Sequence, residues 1–211
     1  MPESVDIVAW LVRIPPLIFA LTVHEFAHAL AAYHCGDDTA RLNGRLTLDP
    51  LAHLDPVGTI CLLFSFFGWA KPVPVNPANF HHPRRDDILV SVAGVATNLA
   101  TAVAVGLVLR FTYGWGVWQT QGGAIAWSML LLLCEISVGL TLFNLIPIPP
   151  LDGSHVLRQL LPYEAARAYD RLAPMAPFLL IVLVISDGMS LLLRWPFYWI
   201  LHLLLGNALF A

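Results

Sequence analysis

Long apolar runs separated by short polar stretches organise this chain, and they are the first guide to its fold. The runs predict membrane-spanning helices over residues 7–33, 88–111, 124–146 and 176–193. A helix that crosses the hydrocarbon core of a bilayer needs about 20 mainly apolar residues. The pattern therefore predicts an all-α polytopic membrane protein with about four transmembrane helices, and residues 1–211 form a single membrane-embedded domain.

Two further apolar stretches do not fit a simple span. In residues 51–69 the strongly apolar part begins only at residue 57, and prolines flank it on both sides. This length favours a re-entrant region over about 45–75, and a full crossing stays as the alternative. Residues 195–210 are apolar and aromatic, which predicts an interfacial C-terminal helix or a partial re-entry.

The composition agrees with a membrane protein. Apolar residues make up 58% of the chain and charged residues 12%, whereas soluble domains contain about 25% charged residues. There is no basic tract of the kind that binds nucleic acid. The three cysteines are scattered without a C-x-x-C pair, which argues against a thiolate metal site and a disulfide framework.

The first apolar run contains the motif H-E-x-x-H at residues 24–28. On a helix, His24 and His28 lie one turn apart on the same face, where two imidazoles can bind zinc beside Glu25. Ionisable groups at membrane depth cost about 2.5–3.5 kcal/mol each on insertion scales, so they rarely persist without a role. The alternative is a polar contact in which the histidines bond to a neighbouring helix.

A catalytic zinc ion usually has three protein ligands and one open position. The best third candidate is Asp152, because it follows a proline-broken helix end that can direct a side chain inward. An ordinary Asp-Gly turn is the alternative for Asp152, and His155 is a weaker alternative ligand. The sequence thus predicts one Zn²⁺ per chain.

This set of residues predicts metal-assisted peptide hydrolysis. Zinc would polarise the scissile carbonyl group, and Glu25 would accept the proton of the attacking water and pass it to the leaving amine. Asn144 can donate a hydrogen bond to the developing oxyanion or hold the substrate backbone, and an interhelical contact is its alternative. Small residues on the 88–111 helix predict a close helix contact; they are Ser91, Gly94, Thr97 and Asn98.

The basic residues predict the orientation in the membrane. If residues 51–69 re-enter, the His pair and Asp152 share one face with most of the basic residues, whereas only Arg13, Arg110 and Arg194 lie near the other face. The positive-inside rule then puts the active site near the cytoplasmic face of the cell membrane, with both termini outside. The residues on the shared face are Arg41, Arg45, Lys71, Arg84, Arg85, Arg158, Arg167 and Arg171.

The chain resembles the site-2 protease family of intramembrane zinc metalloproteases. Residues 24–28 match its H-E-x-x-H motif, and residues 144–153, NLIPIPPLDG, are similar to its N-x-x-P-x-P-x-L-D-G pattern. Residues 49–58 and 68–77 are also similar to stretches of that family. The chain looks like a minimal core form, because it contains no insertion long enough for a PDZ or CBS domain.

The resemblance implies that His24, His28 and Asp152 bind zinc and that Glu25 is the catalytic base. It implies that residues 51–69 form a membrane-associated β-hairpin, whose edge can pair with an unwound substrate. The implied substrates are transmembrane helices of membrane proteins, cut within the bilayer. It also suggests a substrate-contacting or supporting role for Asn98, in a helix where relatives often have proline at the position of Val95.

Two other function classes compete with a protease. Buried polar residues can form an ion path, but a transporter predicts internal repeats with paired broken helices, and the sequence has neither. A non-proteolytic membrane scaffold need not keep a complete set of metal ligands. His53 and Asp55 form an H-x-D pair that could bind a second metal, although helix-capping or turn residues are the simpler interpretation.

Overall fold

The structure is helical almost throughout; it is a computed structural model that describes residues 7–58 and 70–206. Within these ranges, pairing of extended backbone is limited to one antiparallel bridge between Leu54 and Ala70. The expected all-α fold is confirmed. The helices are α1 (Ile7–His34), α2 (Thr39–Leu42), α3 (Pro50–His53), α4 (Pro83–Thr112), α5 (Gln121–Asn144), α6 (Asp152–Leu160), α7 (Tyr163–Leu172), α8 (Ala176–Ile185) and α9 (Gly188–Leu205), with 3₁₀ turns at Pro77–Asn79, Gly116–Gln119 and Ala173–Met175.

Several helices are long and apolar enough to cross a membrane. Among the described residues, length and composition identify five such segments, which makes the chain a multi-pass membrane protein. The prolines at positions 15 and 16 do not divide α1, which continues past them. The five segments are Leu11–His34, Pro83–Thr112, Gln121–Asn144, Tyr163–Ile185 and Gly188–Leu205.

The centre of the fold is formed by α1, α4 and α5, which pack against one another in all three pairs. Of the small-residue face predicted on α4, Ser91, Gly94 and Asn98 are buried. The α4–α5 side is closed by α9, whose buried leucines Leu201, Leu204 and Leu205 join a core cluster with Ala102, Leu109, Cys134 and Val138.

The C-terminal helices have different boundaries from those expected. Asp187 has a left-handed backbone with φ of 56°, which ends α8 and lets α9 begin at Gly188. The expected span over 176–193 is therefore divided, and the segment over 195–210 belongs to a helix that starts earlier; residues 207–210 lie outside the described residues. The leucine face of α9 favours this arrangement, because it buries apolar surface against α4 and α5.

The direction of α9 follows from its contacts with α4. Arg110, near the end of α4, donates a hydrogen bond to the carbonyl oxygen of Leu203 at 3.0 Å, near the end of α9. The two helices therefore run parallel. Arg194, which we expected near the face opposite the His pair, lies in the first half of α9 and so towards the end where α4 begins.

The ends of the apolar segment 51–69 lie side by side. Leu54 pairs with Ala70, and Lys71 donates its backbone N–H to the carbonyl oxygen of His53 at 2.8 Å. The described residues that flank this segment therefore lie together, which favours the re-entrant alternative over a crossing. The β-hairpin expected over 51–69 falls mainly on residues 59–69, which lie outside the described residues.

The turn between α5 and α6 directs Asp152 back towards α1. After Asn144 the chain makes a short irregular turn, and Tyr169 on α7 donates a hydrogen bond to the carbonyl oxygen of Pro147 at 3.0 Å. Gly153 packs so closely on this turn that a Cβ atom there would lie 2.3 Å from the carbonyl oxygen of Leu145. Glycine after Asp152 is thus required by close packing, because any side chain would displace α6 from the turn.

Candidate metal centre

Three side chains from two distant parts of the chain converge near one end of the bundle. The Nε2 atom of His24 lies 3.3 Å from Oδ2 of Asp152, and Nε2 of His28 lies 3.4 Å from Oδ1 of the same carboxylate. The two Nε2 atoms are 3.0 Å apart. One ligand atom from each residue lies within 4.8 Å of the others, so a single ion can contact all three.

The Nδ1 atoms of both histidines, which point away from Asp152, contact residues of α4. Nδ1 of His28 lies 2.8 Å from the carbonyl oxygen of Val90, which requires a proton on Nδ1 and leaves the lone pair of Nε2 for a metal. Nδ1 of His24 lies 3.1 Å from the side-chain amide of Asn98. As placed, the Asn98 amide nitrogen faces His24, and its oxygen is buried without a hydrogen bond to any described residue.

A rotation of the Asn98 amide by 180° gives this buried oxygen a hydrogen-bond partner. Its Oδ1 then accepts a hydrogen bond from the Nδ1–H group of His24, because the two ends of an amide are interchangeable in shape. His24 then has the same tautomer as His28, with both Nε2 lone pairs directed at Asp152. Asn98 thus selects the tautomer of His24 that can bind a metal.

The carboxylate of Asp152 has the properties of a metal ligand. Burial raises its pKa, but the two adjacent imidazoles outweigh burial and lower the pKa to about 2. Its Oδ2 atom is buried and, within the described part of the chain, has no hydrogen bond of good geometry despite its closeness to His24. Two imidazole nitrogens and one carboxylate are a common donor set for catalytic zinc, so these residues fit that ion.

Close approach of α4 makes this arrangement possible. Gly94 faces the two imidazoles, and a Cβ atom at this position would lie 2.5 Å from Nε2 of His28 and 2.7 Å from Cε1 of His24. A side chain at residue 94 would therefore occupy the space next to the two Nε2 atoms. The small-residue face of α4 serves the site as well as the helix packing.

Glu25 lies beside the histidines and is covered by the segment 70–76. Its Oε2 atom accepts a hydrogen bond from the backbone N–H of Val73 at 2.9 Å. The carboxylate is half-buried and lines a cavity of about 340 Å³ together with His24, His28 and Asp152. Glu25 is thus positioned to meet a polar group that enters this cavity.

Two buried charged residues hold the covering segment in place. Asp37, which is fully buried, accepts hydrogen bonds from the backbone N–H of Asn76 and from the Asn79 side chain, both at 2.7 Å. Burial raises the pKa of Asp37, but hydrogen bonds from Thr39, Asn76 and Asn79 lower it further than burial raises it. At the other end, the buried Arg45 donates a hydrogen bond to the carbonyl oxygen of Lys71.

The remaining predicted residues occupy different positions. Asn144 lines the cavity, and its amide nitrogen donates a hydrogen bond to the carbonyl oxygen of Leu140 at 3.0 Å, which leaves one amide hydrogen for another partner. His53 is buried and 2.8 Å from the carbonyl oxygen of Thr47. Asp55 accepts a hydrogen bond from the backbone of Gly58, which is a capping interaction.

His155, the weaker alternative ligand, lies outside the metal-compatible group. Its Nδ1 atom lies 3.6 Å from Oδ1 of Asp87 on α4, and within the described ranges the group that can bind a metal consists of His24, His28 and Asp152. The pairing of residues 87 and 155 was missed at the sequence level. The one available signal was helical spacing, which puts His155 on the same face of α6 as Asp152.

The sequence matches known proteins over most of its length. Residues 116–185 match the model of peptidase family M50. The chain is 38% identical over 181 residues to "Putative zinc metalloprotease YwhC" of Bacillus subtilis, which covers 85% of this chain and 82% of the relative. The chain belongs to peptidase family M50.

Two other relatives of this M50 peptidase carry the name "Putative zinc metalloprotease Rip2". The protein of Mycolicibacterium smegmatis is 33% identical over 189 residues, covering 86% of this chain and 70% of the relative. The protein of Mycobacterium tuberculosis is 32% identical over 206 residues, covering 93% and 73%. No solved structure matches the chain. The M50 assignment confirms the expected resemblance to the site-2 protease family and the expected class of enzyme, a metallopeptidase.

Proposed function

We propose that this M50 peptidase is an intramembrane zinc endopeptidase that hydrolyses peptide bonds within or near transmembrane segments of membrane proteins. The observation that carries the proposal is the convergence of His24, His28 and Asp152 within 4.8 Å, beside Glu25. The names of the relatives support zinc as the ion. His24, His28 and Asp152 bind one Zn²⁺, which supplies Lewis-acid activation of the carbonyl group and of water.

Glu25 is the general base in this mechanism. It accepts the proton of the attacking water and transfers it to the amine as the carbon–nitrogen bond breaks. Val73 supports this role, because its N–H group fixes one carboxylate oxygen and leaves the other for water. The half-buried position of Glu25 in the cavity keeps the carboxylate close to the metal ligands.

Two asparagines assist the chemistry through hydrogen bonds, without transferring a proton themselves. Asn98 fixes the metal-binding tautomer of His24 from behind the ring. Asn144 lines the cavity at the end of α5, and its remaining amide hydrogen can bond to a substrate carbonyl group.

The active site lies near the cytoplasmic face in this proposal. The ends of α1, α5 and the start of α4 lie together, and most basic residues of the described chain follow or precede these ends. The positive-inside rule assigns such an end to the cytoplasm. The pairing of Leu54 with Ala70 supports this arrangement, because it brings together the residues that flank this apolar segment.

The substrate must lose helical structure before it can be cut. A helix buries its own carbonyl groups in hydrogen bonds, so a transmembrane segment has to unwind locally to expose a scissile bond. The cavity beside Glu25 is bounded by the irregular backbone of residues 72–75, which has polar groups to offer an unwound chain. A lipid bilayer is therefore both the environment and the source of the substrate.

Metal content and cleavage test the proposal together. Detergent-solubilised wild type should contain close to one zinc per chain, and His24→Ala should lose it. Glu25→Gln should keep zinc but produce no fragment when co-expressed with single-span membrane proteins that wild type cleaves. A matched control is Glu164→Gln, since Glu164 is exposed on α7, and it should cleave like wild type.

Each failure has a separate meaning. A zinc-free wild type would support the transporter or scaffold alternatives. Cleavage by Glu25→Gln at the rate of wild type would disprove the role of Glu25 as the base.

A further inference from the structure

A second histidine–carboxylate pair lines the cavity beside the metal-compatible group. His155 on α6 and Asp87 on α4 are 3.6 Å apart, an ion-pair distance that is slightly too long for a hydrogen bond. Asp87 is buried, and its Oδ2 atom accepts a hydrogen bond from Nε2 of Gln159 at 2.6 Å. The side chain of His155 is about half exposed, and both residues line the cavity that contains Glu25.

The position of His155 suits contact with a substrate. It follows Asp152 by three residues, so the two side chains lie on the same face of α6. Nδ1 of the imidazole faces Asp87, which leaves Nε2 at the opposite edge of the ring for a ligand in the cavity. An imidazole that is oriented by a carboxylate at one nitrogen presents the other in a fixed direction.

We propose that His155, oriented by Asp87, is a further catalytic residue that donates a hydrogen bond from Nε2–H to the oxygen of the scissile carbonyl group as that oxygen becomes negative. This inference rests on the proposed peptidase function and adds a second electrophilic group to it. Water oxygen bonds to the carbonyl carbon, the π electrons move to the carbonyl oxygen, and Glu25 takes the water proton. That proton leaves with the amine when the carbon–nitrogen bond breaks, and His155 keeps its own proton throughout.

Donation from Nε2 requires the protonated imidazole, and the surroundings of His155 favour it. The adjacent carboxylate of Asp87 raises the pKa of His155, burial lowers it, and the charge of Asp152 raises it further. A positive charge at His28 on α1 would lower the pKa of His155, but the metal-binding tautomer described above, with its proton on Nδ1, is neutral. Asp87 is therefore the main source of the positive charge on His155.

A purely structural role is the alternative. The contacts of His155 and Gln159 with Asp87 also join α6 to α4, and α6 carries Asp152. Loss of such a clamp would displace Asp152 and reduce zinc content. The two roles differ because a hydrogen bond to the oxyanion acts only on the transition state, whereas a clamp acts on metal binding and stability.

Four variants separate these roles in the full-length zinc-loaded protein. His155→Phe keeps a ring but removes the donor, and His155→Gln restores a neutral N–H donor. Asp87→Asn keeps the size of the residue and removes its charge. Gln159→Met weakens the α6–α4 contact without touching His155. For each, kcat, KM, zinc content and affinity for a phosphinic peptide, a stable mimic of the tetrahedral oxyanion, are measured.

We expect His155→Phe to lower kcat about 10²-fold, the usual cost of an oxyanion donor, with KM and zinc content close to wild type. Affinity for the phosphinic peptide should fall in parallel. In the Glu25→Gln background, where the substrate stays uncut, adding His155→Phe should leave the affinity for substrate unchanged. His155→Gln should recover part of kcat. Asp87→Asn should move the alkaline fall of kcat to lower pH, since the pKa of His155 falls, whereas Gln159→Met should leave that pH profile in place.

Three results would overturn the inference while the peptidase function stands. They are wild-type kcat in His155→Phe, a loss of zinc that accounts for the loss of activity, or unchanged affinity for the phosphinic peptide. Failure of the peptidase function itself would look different, because wild type and Glu25→Gln would then give the same fragments or none.

Discussion

Substitution of Gly94 by alanine tests the geometry of the metal centre with a single methyl group. The added Cβ would lie 2.5 Å from Nε2 of His28 and 2.7 and 2.8 Å from Cε1 and Nε2 of His24. These separations are about 0.7–1.0 Å inside the ~3.5 Å at which such atoms make favourable contact. Both rings would have to turn away from Asp152, since α4 and α1 are packed against each other.

The expected loss follows from the two displaced rings. An off-rotamer side chain costs about 0.5–1.5 kcal/mol, so two rings cost about 1–3 kcal/mol, or roughly 5- to 150-fold in zinc affinity. The measurement is the zinc dissociation constant, obtained by competition with a chromophoric chelator in detergent. The fold should remain intact, because the change adds one methyl group within a helix that alanine favours over glycine by about 1 kcal/mol.

Gly139→Ala is the matched control for this experiment. Gly139 also lies inside a membrane helix, but a Cβ atom there would lie 3.8 Å from Cε2 of Phe197, which is an ordinary contact distance. Gly139→Ala should bind zinc like wild type. If Gly94→Ala bound zinc as tightly as Gly139→Ala, the two histidines would not hold the metal in the orientation described, and the proposed centre would be refuted.

Three further predictions concern the surroundings of the site. Asn98→Leu should weaken zinc binding about 10- to 100-fold, while Asn98→Asp, which can accept from Nδ1–H of His24, should recover most of it; chelator competition measures both. The hydrogen bonds that lower the pKa of Asp37 stabilise the fold at pH values above about 4, the ordinary pKa of an aspartate. This stability should be lost as the pH falls through the lowered pKa of Asp37. In the wild-type protein, proteolytic nicking near residue 75 should therefore be faster at that acidic pH than at neutral pH. Single cysteines at the exposed positions His34 and Lys71, in a background without native cysteines, should react with membrane-impermeant reagents from the same side, and labelling from opposite sides would contradict the re-entrant topology.

The sequence was sufficient to predict the local half of the candidate metal centre, which is the shared helix face of His24 and His28. A 3.6-residue period puts His24 and His28 on one face of any helix, whatever surrounds it. Asp152 was harder, because its position depends on the turn after Asn144. Proline-rich sequence indicated where the helix ends, but not the direction in which the chain resumes. That direction depends on the close packing of Gly153 against Leu145, which is a tertiary contact.

Contacts between distant residues account for what the sequence did not reveal. Asp87 and His155 are 68 positions apart, and neither has a local pattern that points to the other. The break before α9 is a similar case. Asp187 is a polar residue inside an apolar stretch, and its left-handed backbone becomes favourable only when the leucine face of α9 is buried against α4 and α5.

The spacing of prolines in residues 71–76 acquires a meaning only in the folded protein. Lys71, Val73 and Asn76 each precede a proline, which restricts them to extended conformations, and Asn76 has φ of −113° and ψ of 99°. In an extended chain alternate N–H groups point to opposite sides. The N–H groups of Lys71 and Val73 donate to His53 and Glu25, so the backbone groups of positions 72 and 74 point to the opposite, outward side of this segment.

Both of these outward positions are proline, which has no N–H group to donate. The outward side of residues 71–74 therefore offers carbonyl oxygens alone, and a second chain cannot form a complete β-ladder there. On the other side of residues 71–74, the N–H group of Val73 already donates to Glu25 in the cavity, and the N–H group of Lys71 donates to His53. The same prolines that made the sequence look like a plain loop thus leave residues 71–74 without a free N–H group on either side, so another chain cannot form a complete backbone ladder with them.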